Sequence, residues 1–480
     1  MSITDLFSIL PIIILIVWAS ALLLVDVFSK KSQSRTALLA AIGLGLTLGF
    51  ALAQVGQEYS AFNGMVVVDG FSVFLNALLL VSGLAGIALA YDYNKRMGWD
   101  RGEYYVLLLF SISGMMLMAT AADLIVVFLA LELLSIPLYV LAGFARPKLD
   151  SEEASLKYFL LGAFAGGFVV YGVALVFGAT GTTALNGIVA AINAGSADSS
   201  LLVIGAALIL VGFGFKVAVV PFQMWTPDVY QGAPSAVTAF MAVGAKVAGF
   251  AALLRIFVAA FPTLATDLTP ILWVLAALTM IVGNIIAVAQ SNIKRMLAYS
   301  SIAHAGYIFM ALVPFGNASV AADSVASMLF YLLTYAVTNF GAWSVVIALE
   351  KAEGKGLEIS DYAGLGRKYP GLAAAMTVFM LSFTGIPPTL GFMGKFFLFR
   401  TVLEGGFYWL AIIGVLTSLI SAYYYLRILV IMYMQDGEPE VRSESWLNLV
   451  TALTAVSVVA LSIAATPLFQ WASQAVLKLF

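Results

Sequence analysis

Residues 201–224 run Leu201-Leu202-Val203-Ile204-Gly205-Ala206-Ala207-Leu208-Ile209-Leu210-Val211-Gly212-Phe213-Gly214-Phe215-Lys216-Val217-Ala218-Val219-Val220-Pro221-Phe222-Gln223-Met224. An apolar stretch of this length crosses the roughly 30 Å of bilayer hydrocarbon as an α-helix, which needs about 20 such residues. Backbone polar groups in lipid must be satisfied within the segment, so a continuous apolar run is a helix and not a barrel strand. Two residues disturb the run: Lys216 puts a charge inside it, and Pro221 cannot sit in a regular helix interior without freeing a carbonyl.

The same pattern recurs along the chain. Spans are predicted over 5–28, 36–54, 69–91, 104–121, 124–144, 155–178, 201–224, 233–260, 270–289, 297–314, 324–349, 371–402, 407–434 and 446–469. The expected class is an all-α polytopic membrane protein with about fourteen transmembrane helices. Composition agrees. Of 480 residues, 62% are hydrophobic and 10% charged, against about 25% charged in a soluble protein. The span 371–402 is overlong and holds Pro387-Pro388, so a break is expected there. A weakly amphipathic stretch, Leu185 to Ile192, is expected to lie on the membrane surface. No cleavable leader is expected, because the apolar run after Met1 is too long and its basic residues follow it.

Cysteine is absent and there is one histidine. This excludes disulfides, thiol chemistry, iron–sulfur ligation, Cys-based zinc sites and a His-rich metal site. A net charge of −2 without long basic runs gives no sign of a nucleic-acid partner. The basic residues alternate instead. Numbering each loop by the span it follows, odd loops hold Lys30, Lys31, Arg35, Lys95, Arg96, Arg101, Arg146, Lys148, Lys294, Arg295, Lys351, Lys355, Arg367, Lys368 and Arg442. Even loops hold Glu58, Asp69, Asp123, Asp198, Asp267, Asp323 and Glu404. The positive-inside rule puts odd loops in the cytoplasm and both termini outside. Loop seven, Thr226 to Ser235, carries no base and casts no vote.

Glu132, Lys216, Lys246, His304 and Lys395 remain inside the spans, with Lys157, Arg255, Arg400 and Arg427 nearer their ends. The last four are expected to snorkel to the interface. A charge at the bilayer centre costs at least about 2.5–3.5 kcal/mol, and one acid cannot neutralise three lysines. Burial disfavours the charged form of a lysine and a nearby carboxylate favours it, so small movements can load and unload a proton. Arginine stays charged and could not serve. Pro137 and Pro221 fall five residues after Glu132 and Lys216. Each would free a carbonyl beside a buried charge, that of Leu133 or Val217, as an anchor for water.

Gly212-Phe213-Gly214-Phe215-Lys216 and Gly391-Phe392-Met393-Gly394-Lys395 are alike and lie five spans apart, hence in opposite senses. Broken helices paired in this way point to inverted repeats with a site at their interface. The chain is expected to divide into an N-terminal three-helix segment over 1–103, a first five-helix repeat over 104–260, a second over 270–434 and a C-terminal helix over 446–480.

Further motifs surround these residues: Trp225-Thr226-Pro227-Asp228-Val229-Tyr230, Gly232-Ala233-Pro234, Val243-Gly244-Ala245-Lys246, Leu131-Glu132-Leu133, Asn292-Ile293-Lys294-Arg295-Met296-Leu297-Ala298-Tyr299-Ser300-Ser301-Ile302-Ala303-His304, and Gly385-Ile386-Pro387-Pro388. Together they resemble the antiporter-like membrane subunits of respiratory complex I, the proton-pumping NADH:quinone oxidoreductase, over nearly the whole chain. The resemblance is greatest to the subunit N branch. The M branch typically has a glutamate where Lys395 stands, and the L branch continues into a lateral helix. The resemblance implies that Glu132 and Lys216 are the acid and base of a first half-channel. It implies that Lys246 and His304 are relay groups on a central polar axis, and that Lys395 is the last proton carrier of a second half-channel. It implies a bacterial plasma (inner) membrane location and partners among the other membrane-arm subunits, including a paralogous antiporter-like chain. No cofactor is expected in this chain; NADH, FMN, iron–sulfur clusters and quinone would belong to partner subunits. A multisubunit cation/proton antiporter shares the central motif and is the alternative.

Overall fold

A computed structural model describes residues 3–28, 33–352 and 354–475, so Lys30 and Lys31 lie outside the described residues. The chain begins with α1 (Ile3–Phe28), α2 (Gln33–Leu52), a hairpin of β1 (Tyr59–Ala61) and β2 (Val66–Val68), then α3 (Gly70–Met97), α4 (Glu103–Thr120), α5 (Leu124–Ala142) and α6 (Leu149–Thr180). The short α7 (Leu185–Asn193) covers the predicted amphipathic stretch, with Leu185 and Ile188 turned inward. Next come α8 (Ser199–Val217), α9 (Trp225–Gly232), α10 (Ser235–Leu253), α11 (Ala265–Val288), α12 (Ile293–Met310) and α13 (Ala321–Leu349). The chain closes with α14 (Leu365–Lys368), α15 (Pro370–Thr384), α16 (Leu390–Glu404), α17 (Tyr408–Met434), α18 (Ser445–Ile463) and α19 (Ala465–Gln474).

Every predicted span has a helical counterpart, and twelve of the described helices are long and apolar enough to cross a bilayer. Three predicted spans are interrupted; span fourteen passes from α18 to α19 at Ala464. Span seven stops at Val217, where Ala218 turns left-handed at φ 64°, and resumes at Trp225 as α9. Span twelve stops at Thr384, where Gly385 has φ 87°, and resumes at Leu390 as α16. Pro221 therefore sits in a break and frees no carbonyl of a continuing helix, whereas α5 runs through Pro137 intact. The break in span seven is held by side chains. Trp225 Nε1 donates to the Phe215 carbonyl at 2.9 Å, and Thr279 Oγ1 accepts from Val220 N at 2.9 Å.

The middle of the bundle is α10, whose residues Ser235–Leu253 are all buried. Its run of Ala, Gly, Ser and Thr lets neighbouring backbones approach closely, the usual basis of helix packing in membranes. At the periphery Val17, Phe164, Leu419 and Ile463 stay exposed, as lipid-facing side chains should.

Several acids of the even loops have a local task. Asp69, Asp123 and Asp198 cap the N-termini of α3, α5 and α8, accepting from free backbone N–H groups. The parity of the loops is also visible in their contacts. Arg96 of loop three pairs with Glu444 of loop thirteen at 2.6 Å, and Lys351 of loop eleven with Glu440 of loop thirteen at 2.9 Å. Asp228 of loop seven bonds Lys157 and Arg295, each at 2.8 Å, near loops five and nine. Even loops meet each other as well, at the bridges Val66–Ala121 and Asp123–Ala184.

Three expectations need correction. Arg255 does not snorkel: it is fully buried and forks onto Asp69 at 2.6 and 2.7 Å while also donating to the Ala119 carbonyl. Burial deep in protein removes the route to water, so the charge is met by an acid instead. Lys294 is not a solvated loop base but a buried residue of the first turn of α12. The β-hairpin was read as plain loop, although Val66-Val67-Val68 is a β-branched run after the turn Phe62-Asn63-Gly64. Arg400 and Lys157, by contrast, stay at partly exposed positions, paired to Glu404 and Glu153. Arg255→Met would strip Asp69 of its guanidinium, and losing one partner of a buried pair costs about 3–5 kcal/mol. The expected result is a sharply reduced yield of folded protein and a lower melting temperature in detergent, with Arg255→Lys milder than Arg255→Met.

Candidate functional site

Of the predicted residues, Glu132 and Lys216 are brought to one small cavity, and Lys246, His304 and Lys395 are gathered around α12 and the tyrosines beside it. The cavity lies between α5, α6 and α8. Its volume is about 10 Å³, and Glu132, Ser135, Tyr139, Gly166 and Lys216 are among the residues that line it. That is near the smallest space that holds one water. Glu132 and Lys216 form no ion pair within 4 Å. Lys216 is buried and donates to Ser135 Oγ at 2.7 Å and Tyr158 Oη at 3.2 Å. Glu132 is half-buried. The base is thus held by neutral hydroxyls, with the acid lining the same cavity.

In the second group, Lys246 on α10 donates to the Ser301 carbonyl of α12. Tyr335 donates to Ser301 Oγ at 2.8 Å. Three residues along α12, His304 binds Tyr331 through Nδ1 at 2.7 Å and Tyr425 through Nε2 at 3.1 Å. A neutral imidazole donates on one nitrogen and accepts on the other, and a tyrosine hydroxyl serves either way, so both bonds can form with a neutral ring. Tyr425 also bonds Ser300. Lys395 stands over the ring of Tyr307, 4.7 Å from its centroid, and Tyr307 in turn bonds Asn284 and Thr417. Between the two groups runs α10: a Cβ added at Gly249, three residues beyond Lys246, would lie 3.6 Å from Lys216 Cγ.

The two broken helices place their lysines in one electrostatic setting by different routes. Lys216 is in the last turn of α8 itself. Lys395 follows its break and reaches back to donate to the carbonyl of Thr384, the last residue of α15, at 2.9 Å, and to Ser418 Oγ at 3.1 Å. Lys216 thus belongs to the last turn of a first half-helix and the Lys395 amine reaches the C-terminal end of one, where a cation is favoured. The crossing at the second break needs two glycines. A side chain at Gly385 would be strained by its positive φ, and a Cβ at Gly391 would lie 2.0 Å from the Ser382 carbonyl.

Tyr158, Ser135, Ser301, Tyr331, Tyr335, Tyr425, Tyr307 and Ser418 were not anticipated from sequence. Isolated hydroxyls in apolar helices look like ordinary core, and only the fold shows which of them face a charge. Among the described residues no group of three His, Cys, Asp or Glu side chains could hold a metal ion.

A family model described as NADH:quinone oxidoreductase/Mrp antiporter, TM, matches residues 121–421, which contain all five of these ionisable residues. The NADH-quinone oxidoreductase subunit N of Trichlorobacter lovleyi is 49% identical over 454 residues, 94% of this chain and 91% of that one. The chain belongs to the NADH-quinone oxidoreductase subunit N family. A solved chain of respiratory complex I from Thermus thermophilus with bound aureothin, 36% identical, superposes with a TM-score of 0.83 over 96% of this chain and 99% of that chain. A chain of the Mrp complex from Dietzia gives a TM-score of 0.85 at 20% identity, covering 99% and 97%. The Mrp likeness is one of fold, while the subunit N family is matched in sequence along nearly the whole length.

Proposed function

We propose that this chain is a proton-translocating membrane subunit of NADH:quinone oxidoreductase in which Glu132, Lys216, Lys246, His304 and Lys395 carry the protons. The observation that carries the assignment of residues is the shared setting of Lys216 and Lys395, each buried at the C-terminal end of a half-helix and held by hydroxyls or carbonyls rather than by a carboxylate. An ammonium held this way can release its proton, because no partner charge fixes it. Glu132, across room for one water, is placed to exchange a proton with Lys216 or to stabilise its charged form. The hydroxyls around Ser301 and His304 extend the path from Lys246 toward Lys395.

In this account residues 104–260 and 270–434 are two inverted five-helix repeats, the helical segments make about fourteen crossings, and both termini lie outside the cytoplasm of a bacterial plasma membrane. The N-terminal segment 1–103 and the C-terminal residues 446–480 flank the repeats. Glu132 also argues for a neighbour. It is half-exposed on a face of α5 where Leu129, Ile136 and Val140 are also exposed. A carboxylate facing lipid is costly, so a membrane-arm partner, a paralogous antiporter-like chain, covers that face. Redox cofactors reside in partner subunits. Mild purification of the tagged chain from native membranes should recover NADH-oxidising, quinone-reducing activity together with a paralogous membrane chain. Recovery with cation/proton antiporter chains and no such activity would contradict the assignment.

A further inference from the structure

A buried acid lies at the odd-loop end of the bundle, away from the five residues above. Glu350 follows the last residue of α13 and is 2% exposed. One of its carboxylate oxygens has no hydrogen-bond partner in the protein. It faces Tyr93 near the end of α3, Lys294 in the first turn of α12 and Tyr362 of the following loop. Lys294 is 1% exposed and donates to the Ala233 carbonyl at 2.7 Å, making no ion pair with Glu350 within 4 Å. A structural salt bridge would close that gap. A carboxylate kept without a direct counter-ion in a buried site needs water or a proton.

The surroundings supply a route in and a route onward. Lys294 is within electrostatic reach of Lys148 and Asp150 at the start of α6, and Asp150 is exposed. Inward, Tyr93 Oη accepts from Ser235 N at 3.1 Å. Ser235 Oγ, Thr226 Oγ1 and Tyr230 Oη are all buried without a protein partner, a concentration of unmet hydroxyls on α9 and the first residue of α10. Buried polar groups of this kind are normally met by ordered water. Tyr230 faces Ser301, whose carbonyl receives Lys246.

We propose that Glu350, positioned by Lys294 and Tyr93, is the proton-loading carboxyl of a hydrated entry path running from the odd-loop surface past Ser235, Thr226 and Tyr230 to Ser301 and Lys246. The carboxylate takes a proton from a protonated water at the surface side and gives it to a water on the inner side. Only O–H bonds form and break, and no other reactant is required. This rests on the proton-carrying role of the chain proposed above.

The test uses the assembled complex in inverted membrane vesicles, with the odd-loop side facing the medium. Glu350→Gln keeps the shape of the side chain but cannot exchange a proton. It should retain quinone reduction while slowing proton uptake about tenfold or more, as loss of a positioned proton-transfer group does. Glu350→Ala should be equally slow and be partly restored by formate in the medium, which a merely structural role would not allow. Parent-like uptake in Glu350→Gln, or no effect of formate on Glu350→Ala, overturns the proposal. If neither variant assembles, Glu350→Asp decides: slowed uptake in an assembled complex supports the role, and unchanged uptake removes it. Lys216→Ala measured alongside separates the two claims. Normal pumping there defeats the carrier reading itself, whereas lost pumping there with normal Glu350→Gln defeats only the entry path.

Discussion

Lys216→Ala should yield an assembled complex that still oxidises NADH and reduces quinone but pumps far fewer protons, with the rate through this subunit down about a hundredfold or more, the scale of a lost proton-transfer group. Removing the amine leaves Ser135 and Tyr158 to bond elsewhere and breaks no direct ion pair, because Lys216 has no carboxylate in contact. Assembly should therefore survive. Lys216→Arg should be nearly as harmful: guanidinium keeps its proton, and its planar fork does not suit two hydroxyls placed for an ammonium. Proton flux into reconstituted vesicles, beside quinone reduction in the same preparation, checks both variants. Normal pumping in Lys216→Ala, or failure to assemble, would end the carrier role.

Glu132→Gln should be next in effect. The carboxylate favours the ammonium form of Lys216 through the cavity they share, and a tenfold change in proton affinity corresponds to about 1.4 kcal/mol. An amide keeps the volume and loses the charge, so coupling of quinone reduction to pumping should weaken. Glu132→Asp keeps the charge with a shorter reach and should be milder. Equal loss in both variants would place the requirement in geometry. No loss in Glu132→Gln would remove the carboxylate from the mechanism. Proton uptake per electron pair distinguishes these outcomes.

Much of this was legible in sequence because bilayer physics leaves few choices. Apolar runs of the right length became helices, Pro387-Pro388 marked a real break, and Arg96 and Lys351 of two odd loops pair with acids of a third. Lys216, Lys246 and Lys395 stood out because a charge in such a run needs a reason. What escaped depended on contacts distant in sequence. Arg255 looked like an interfacial residue until Asp69, in another part of the chain, proved to lie beside it. Lys294 looked like a loop base because its helix starts with polar residues, and Glu350 looked like an ordinary helix end; both are buried in the folded chain. The two Gly-Phe-Lys motifs stand differently to their breaks, Lys216 before its own and Lys395 after, as the proline positions imply. The partners of each amine, hydroxyls for Lys216 and the Thr384 carbonyl with Ser418 for Lys395, are set by the fold and no local pattern encodes them.

The central claim is that Lys216 and Lys395 act in series on one proton path. Protons translocated per electron pair, measured in reconstituted vesicles for Lys216→Ala, Lys395→Ala and the double variant, tests it most directly. In series, either substitution alone removes this subunit's contribution, and the double variant loses no more than each single one. Losses that add in the double variant, or a full ratio in either single variant, would contradict it.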